Sequence, residues 1–185
     1  MPEHDEPVTG ALRPIPSLER LQELLFDAAR LGRADMIPAL VSAGIDLEAH
    51  DPKGYTALIL ASYHGSLETT EALLEAGAQV DAPDIGRGNT ALMGVAFKGY
   101  GAIAHHLLAS GAQVNRRNRA DQTALMMAAM FSHAEIVKAL IAAGADIDCT
   151  DAAGNSAKSL SRIQGNAAIT TLLETASPPI HALDG

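Results

Sequence analysis

The apolar positions of this chain fall in blocks. Leu58, Ala61 and Ser62 lie at the spacing of one helical face, and so do Leu92, Val95 and Ala96. A second stripe follows each block: Leu73-Leu74, Leu107-Leu108 and Leu140-Ile141, before Gly77, Gly111 and Gly144 respectively. Gly65 or Gly99 separates one stripe from the next. The pattern predicts pairs of short helices. The glycine after each second helix can take the left-handed conformation that closes it. Thr56, Thr90 and Thr123 stand just before the first helices, where a hydroxyl can accept from a free backbone N–H.

The blocks repeat. Thr56-Ala57-Leu58 recurs as Thr90-Ala91-Leu92, Thr123-Ala124-Leu125 and, more weakly, Ser156-Ala157-Lys158, in steps of 34, 33 and 33 residues. Gly44, Gly77, Gly111 and Gly144 recur in steps of 33, 34 and 33. Gly44 to Thr56 and Gly111 to Thr123 are each 12 residues, whereas Gly77 to Thr90 is 13. The extra residue therefore lies in the connection Pro83 to Asn89, not in a helix. One such hairpin cannot bury its apolar face alone, but stacked neighbours bury a continuous core.

These residues resemble the ankyrin repeat family. Its pattern of Asp, two variable residues, Gly, one variable residue and Thr-Pro-Leu is matched by Asp51-Pro52-Lys53-Gly54-Tyr55-Thr56-Ala57-Leu58. Ala61, Gly65, Leu73-Leu74 and Gly77-Ala78 continue it. The resemblance covers roughly residues 20–175 and implies an all-α solenoid of stacked helix-turn-helix units with short β-turn tips. Some positions depart from the family. Ala57, Ala91 and Ala124 replace its Pro, and Ile59, Met93 and Met126 replace its His, exchanging a hydrogen bond between repeats for apolar contact. Asp121 stands where Gly54, Gly88 and Gly154 stand. The Ala-rich style is similar to bacterial members.

Five units are expected, at about 20–50, 51–83, 84–117, 118–150 and 151–175, within a repeat domain of residues 18–176. The first and last units read as caps: the first lacks a Thr-Ala-Leu start, and Lys158 and Arg162 replace apolar residues in the last. Pro38 is expected about one turn inside the second helix of the first unit, kinking it. Residues 1–17, with Pro2, Pro7, Pro14 and Pro16, read as a disordered N-terminal tail, and 177–185 as a C-terminal tail.

Composition narrows the function. Aromatics are 3% and Trp is absent, so the core must be filled by small aliphatic side chains and Met. A net charge of −9 disfavours nucleic-acid binding, which needs a basic surface. No apolar run approaches the ~20 residues of a membrane span, and the N-terminus has no secretory signal. The expected location is cytoplasmic. Cys149 is the one cysteine.

Catalytic and metal chemistry find little support. His105 and His106 are adjacent, so on a helix they point apart and cannot share a metal. His106 aligns with Ala72 and Ala139 on the packed side. The glycine-rich segment Ile85 to Asn89 lacks the Gly-Lys-Ser/Thr ending of a phosphate loop. No nucleophile–base set is spaced for catalysis. The chain reads as a binder with no cofactor, not as an enzyme, and carries no signature of an oligomeric state.

The resemblance implies that turn tips and first-helix surfaces line a concave face. The exposed positions it assigns there include Lys53, Tyr55, Tyr63, His64, Arg87, Asn89, Phe97, Lys98, Arg119, Gln122, Met130 and Phe131. The chain has three Tyr and three Phe, and four of these six are in that set, as expected of a binding surface. Lys53, Arg87, Lys98, Arg116, Arg117 and Arg119 gather on the central tips and groove. Asp46, Glu48 and Asp51 mark one end, and Asp146, Asp148 and Asp151 the other. A basic centre around aromatics predicts a protein partner presenting an acidic segment. The alternative is that of some short bacterial ankyrin proteins, accessory factors that hold or deliver haem for haem catalases. There Tyr63 and His64 would be axial ligands.

Overall fold

A computed structural model describes residues 16–176. The two segments expected to be tails lie outside these residues, apart from Pro16 and Ser17. Ser17 belongs to the folded part, since its hydroxyl accepts from the Arg20 N–H at 3.2 Å and caps the first helix.

Ten α-helices follow in pairs among the described residues. They are α1 (Leu18–Leu31) with α2 (Ile37–Ser42), α3 (Ala57–Tyr63) with α4 (Leu67–Glu75), and α5 (Ala91–Lys98) with α6 (Gly101–Ala109). Then come α7 (Ala124–Met130) with α8 (Ala134–Ala142), and α9 (Ala157–Ile163) with α10 (Ala167–Thr175). The odd-numbered helices pack side by side as one layer and the even-numbered helices as another. The only strand-like pairings described are isolated bridges, His50 with Thr56 and Thr150 with Ser156. The fold is an all-helical repeat solenoid.

Local chemistry explains each pair. The hydroxyls of Thr56, Thr90 and Thr123 accept from the N–H groups of Ile59, Met93 and Met126 at 3.3, 3.4 and 3.4 Å. Ser156 does the same in a reciprocal box with Ser159. Gly44, Gly77, Gly111 and Gly144 all close second helices in the left-handed region, at φ 81°, 98°, 88° and 86°. Asp121 adopts φ 57°, as its place in the glycine register requires.

The first leucine of each double stripe is core. Leu73, Leu107 and Leu140 are each 0% exposed, while Leu74, Leu108 and Ile141 are half-buried against them. Ile59, Met93 and Met126, which stand in for the family histidine, are buried between first helices. Pro38 does not kink a helix. A 3-10 turn, Ala34–Met36, precedes α2, so Pro38 falls in the first helical turn, where its missing N–H costs nothing.

Two ladders tie unit to unit beyond the core. At the tips, the N–H of Ile85 donates to the Gly54 carbonyl at 2.9 Å, that of Arg119 to Arg87 at 2.9 Å, and that of Ala152 to Ala120 at 3.0 Å. The corresponding residue of the first of these tips is Pro52, which has no N–H to offer. Between the helices of a pair, side chains stack on the preceding unit's glycine. A Cβ on Gly65 would meet the Tyr100 ring at 2.9 Å, and one on Gly99 would meet His133 at 2.5 Å. The His133 Nε2 lies 3.1 Å from the Phe97 carbonyl, which fixes the ring there.

Candidate binding cleft

The tips and the first-helix layer enclose a cleft of about 740 Å³. Its floor is Ile59, Leu60, Met93 and Met127. One wall is the ends of α3 and α5, with Tyr63, His64 and Phe97. The other is two tips, with Lys53, Tyr55, Arg87 and Asn89. Seven residues expected on the concave face therefore line this one cleft.

The aromatic wall is continuous across three units. The rings of Tyr63 and Phe97 lie with centroids 6.2 Å apart and planes 16° from parallel. Phe97 and Phe131 meet edge to face at 4.4 Å. These rings touch one another, yet Tyr63, Phe97 and Phe131 remain 39%, 39% and 42% exposed. The Lys98 ammonium stands 5.1 Å over the Tyr63 ring, so the wall carries a cation at its edge.

The remaining expected residues have other surroundings. Arg119 reaches back to the third unit: its Nη1 donates to the Gly86 carbonyl at 2.9 Å, in addition to its backbone bond to Arg87. The Gln122 and Asn89 side-chain oxygens both accept from the Asn118 amide, at 3.2 and 2.8 Å. Met130 is half-buried against the core. Phe131 extends the aromatic row without lining the cleft itself.

Arg30 carries no signal in the sequence, where Asp51 reads as a turn-opening residue and one of the acids at one end. Asp51 is not a solvated end charge. It is buried and paired with the Arg30 guanidinium, and it accepts the N–H groups of Lys53 and Tyr55, each at 2.9 Å. Asp84, the equivalent residue of the next tip, is also buried. It pairs with no cation among the described residues; it takes the N–H groups of Arg87, Gly88 and Asn89 at 2.5, 3.1 and 3.1 Å. Asn118 plays the same part in the third tip, and Asp151 in the fourth. Burial works to raise the Asp151 carboxyl. Hydrogen bonds from Asn155 and from the Ala153 N–H outweigh it and hold the group below the usual carboxylate range.

The turn geometry also places the extra residue. The Asp51 N–H donates to the Tyr55 carbonyl and the Asn118 N–H to Gln122, four positions on. The Asp84 N–H donates to Asn89, five positions on. The long tip thus borders the cleft, with Gly86 and Arg87 in its lining.

Other candidates stay apart. His105 is exposed, while His106 is half-buried, its Nδ1 3.7 Å from Glu71 of the preceding unit. No cluster of His, Cys, Asp or Glu suited to a metal occurs among the described residues. Burial first, and then Asp146, raise the Cys149 thiol above its ordinary value, leaving it protonated. No described helix is long and apolar enough to cross a membrane.

A family model described as ankyrin repeats (three copies) matches residues 19–84 and 81–151. Among curated proteins, the chain is 37% identical over 101 residues to the ankyrin repeat domain-containing protein SAT10 of Stachybotrys chartarum, covering 55% of this chain and 5% of that one. It is 35% identical over 95 residues to the human ankyrin repeat domain-containing protein 63, covering 49% of this chain and 25% of that protein. It is 39% identical over 93 residues to a probable E3 ubiquitin-protein ligase, XBOS34, of Oryza sativa subsp. japonica, covering 49% of this chain and 18% of that protein. The chain thus spans a quarter or less of each of these relatives.

Proposed function

The chain belongs to the ankyrin repeat family, and from that premise we propose that it is a protein-binding scaffold whose partner lies in the cleft between the tips and the first helices. Ankyrin repeats generally mediate protein–protein interaction, and a fold alone names no partner. The observation that carries the reading is the row Tyr63, Phe97 and Phe131, three rings paired in succession that stay over a third exposed in a chain poor in aromatics. Exposed aromatics beside a recess are what interfaces use as anchors. The cationic side chains at the rim favour a partner segment that carries acid groups.

The test is capture of partners from an extract of the native host on the tagged chain, followed by calorimetry with each captured protein. Phe97→Ala should weaken that binding by about thirtyfold or more, as truncation of an interface anchor does. Undiminished binding by a folded Phe97→Ala protein would overturn the reading.

The alternative, a protein that holds or delivers haem, draws on Tyr63 and His64 lining one cleft of a size that suits a small ligand. It requires a Soret band on adding haem, lost in His64→Ala or Tyr63→Phe.

A further inference from the structure

In a chain of net charge −9, cations should find carboxylates easily. Away from the cleft several do: Arg20 pairs with Glu23, Arg33 with Asp35, Lys138 with Glu135 and Arg162 with Glu174, whereas Arg116, Arg117, Arg119 and Lys158 make no ion pair among the described residues. Arg30, at the cleft's edge, is used up by Asp27 and Asp51. Lys53 and Arg87 line the cleft and make no ion pair among the described residues, although the carboxylates of Asp51 and Asp84 line it too; Lys98, over the Tyr63 ring, makes none either. Both carboxylates are buried and turned into their own tips.

The third unit's tip adds a second observation. This lengthened tip places Gly86 and Arg87 in the cleft lining, and the fourth unit holds it there twice. Arg119 donates its backbone N–H to the Arg87 carbonyl and its guanidinium to the Gly86 carbonyl, both at 2.9 Å. Arg87 is thus an exposed cation on a braced backbone, facing the aromatic wall across an apolar floor.

We propose that the cleft recognises an extended peptide segment in which an Asp or Glu stands beside an apolar anchor, that Arg87 reads the carboxylate, and that Arg119 is the positioning residue for the lengthened tip. This rests on the concave-cleft reading above and specifies its partner. The apolar side chain lies over Met93 and Ile59 against Phe97. The carboxylate meets Arg87 on the opposite wall, with Lys53 beside it. An arginine suits that role because its planar fork can take both carboxylate oxygens.

The experiment pans a displayed library of random peptides on the immobilised full chain. It then measures synthetic copies of the enriched sequences by fluorescence anisotropy. Enriched peptides should place Asp or Glu beside Leu, Phe or Met. Changing their acids to Asn or Gln should cost at least about tenfold in affinity to the parent chain and almost nothing to Arg87→Gln. Arg87→Gln should also flatten the salt dependence. Deleting Gly86 should lose the preference for acid while keeping the neutral peptide's affinity. Arg119→Met should do the same in part, and should speed amide exchange at Gly86 to Gly88. Should the deletion unfold the chain, Arg119→Met carries this arm alone.

Enrichment of neutral or basic peptides overturns the carboxylate assignment, as does an unchanged acid preference in Arg87→Gln. If Phe97→Ala still weakens binding by about thirtyfold or more in either case, the cleft reading survives. Undiminished binding by Phe97→Ala, or no enrichment at all, overturns both.

Discussion

Leu92 and Phe97 lie on one short helix, both large and apolar, yet Leu92 is 2% exposed and Phe97 39%. The difference belongs to the stack rather than to α5. Near its start, α5 is flanked by α3 and α7, and Leu92 lies among equivalents such as Leu58 and Leu125. At its end the helix runs out beside the cleft, where the Phe97 ring lies against the neighbouring rings of its row and stays exposed. The same side-chain chemistry therefore stabilises the array at one place and offers a surface at another.

The largest effect should come from the buried side. Leu107→Ala, at a position 0% exposed in α6, should lower stability by ~2–5 kcal/mol, read from denaturant melts. An unchanged midpoint would mean that the double-Leu stripe does not carry the core.

A smaller loss, about 1–3 kcal/mol, should follow Gly99→Ala. The added Cβ would meet His133 at 2.5 Å, on a backbone at φ 86°. Ser132, at the same register position in the next unit, already tolerates φ 63°. If Gly99→Ala melts like the parent, the ring stacked on the glycine is not a fixed contact.

Smaller again should be a pH effect at the fourth tip. The Asp151 carboxyl titrates lower in the folded chain than in the unfolded one, so its contribution is fully present above the usual carboxylate range. It is lost as pH falls through that range to the folded value. The difference between melts of Asp151→Asn and parent should therefore be largest at neutral pH and shrink as pH falls through and below the usual carboxylate range. A gap that widens in acid would reverse the assigned direction.

On the exposed side, Phe131→Ala should cost about 0.5–1.5 kcal/mol of stability, the worth of its edge-to-face contact with Phe97. A loss as large as that of Leu107→Ala would erase the distinction between the two regions.

What could be read in the sequence was whatever repeats. The Thr caps, the closing glycines, the double-Leu stripe and the extra residue of the third unit's tip all follow from position within the period. Contacts that couple one unit to the next were harder. Nothing at Arg30 announces a partner, because the first unit lacks the family start and Arg30 aligns with Tyr63 and Phe97. Its bond to Asp51 depends on how α1 lies beside the next tip. Arg119 has the same character: its charge suggested a rim, while its guanidinium reaches across to Gly86. Pro38 was misjudged because a preceding 3-10 turn shifts where its helix begins.

The row of tips has a direction. Each later tip donates one N–H to the tip before it, and the first of these tips carries Pro52 at the donating place. A proline there leaves no unanswered donor on that edge, which is how exposed strand edges are kept from pairing with strangers. On the Pro52 side, a stray backbone carbonyl therefore finds no donor at the position that links one tip to the next. That protection comes from an atom the chain lacks, so no charge or bulk is placed next to a cleft that must stay open to its partner.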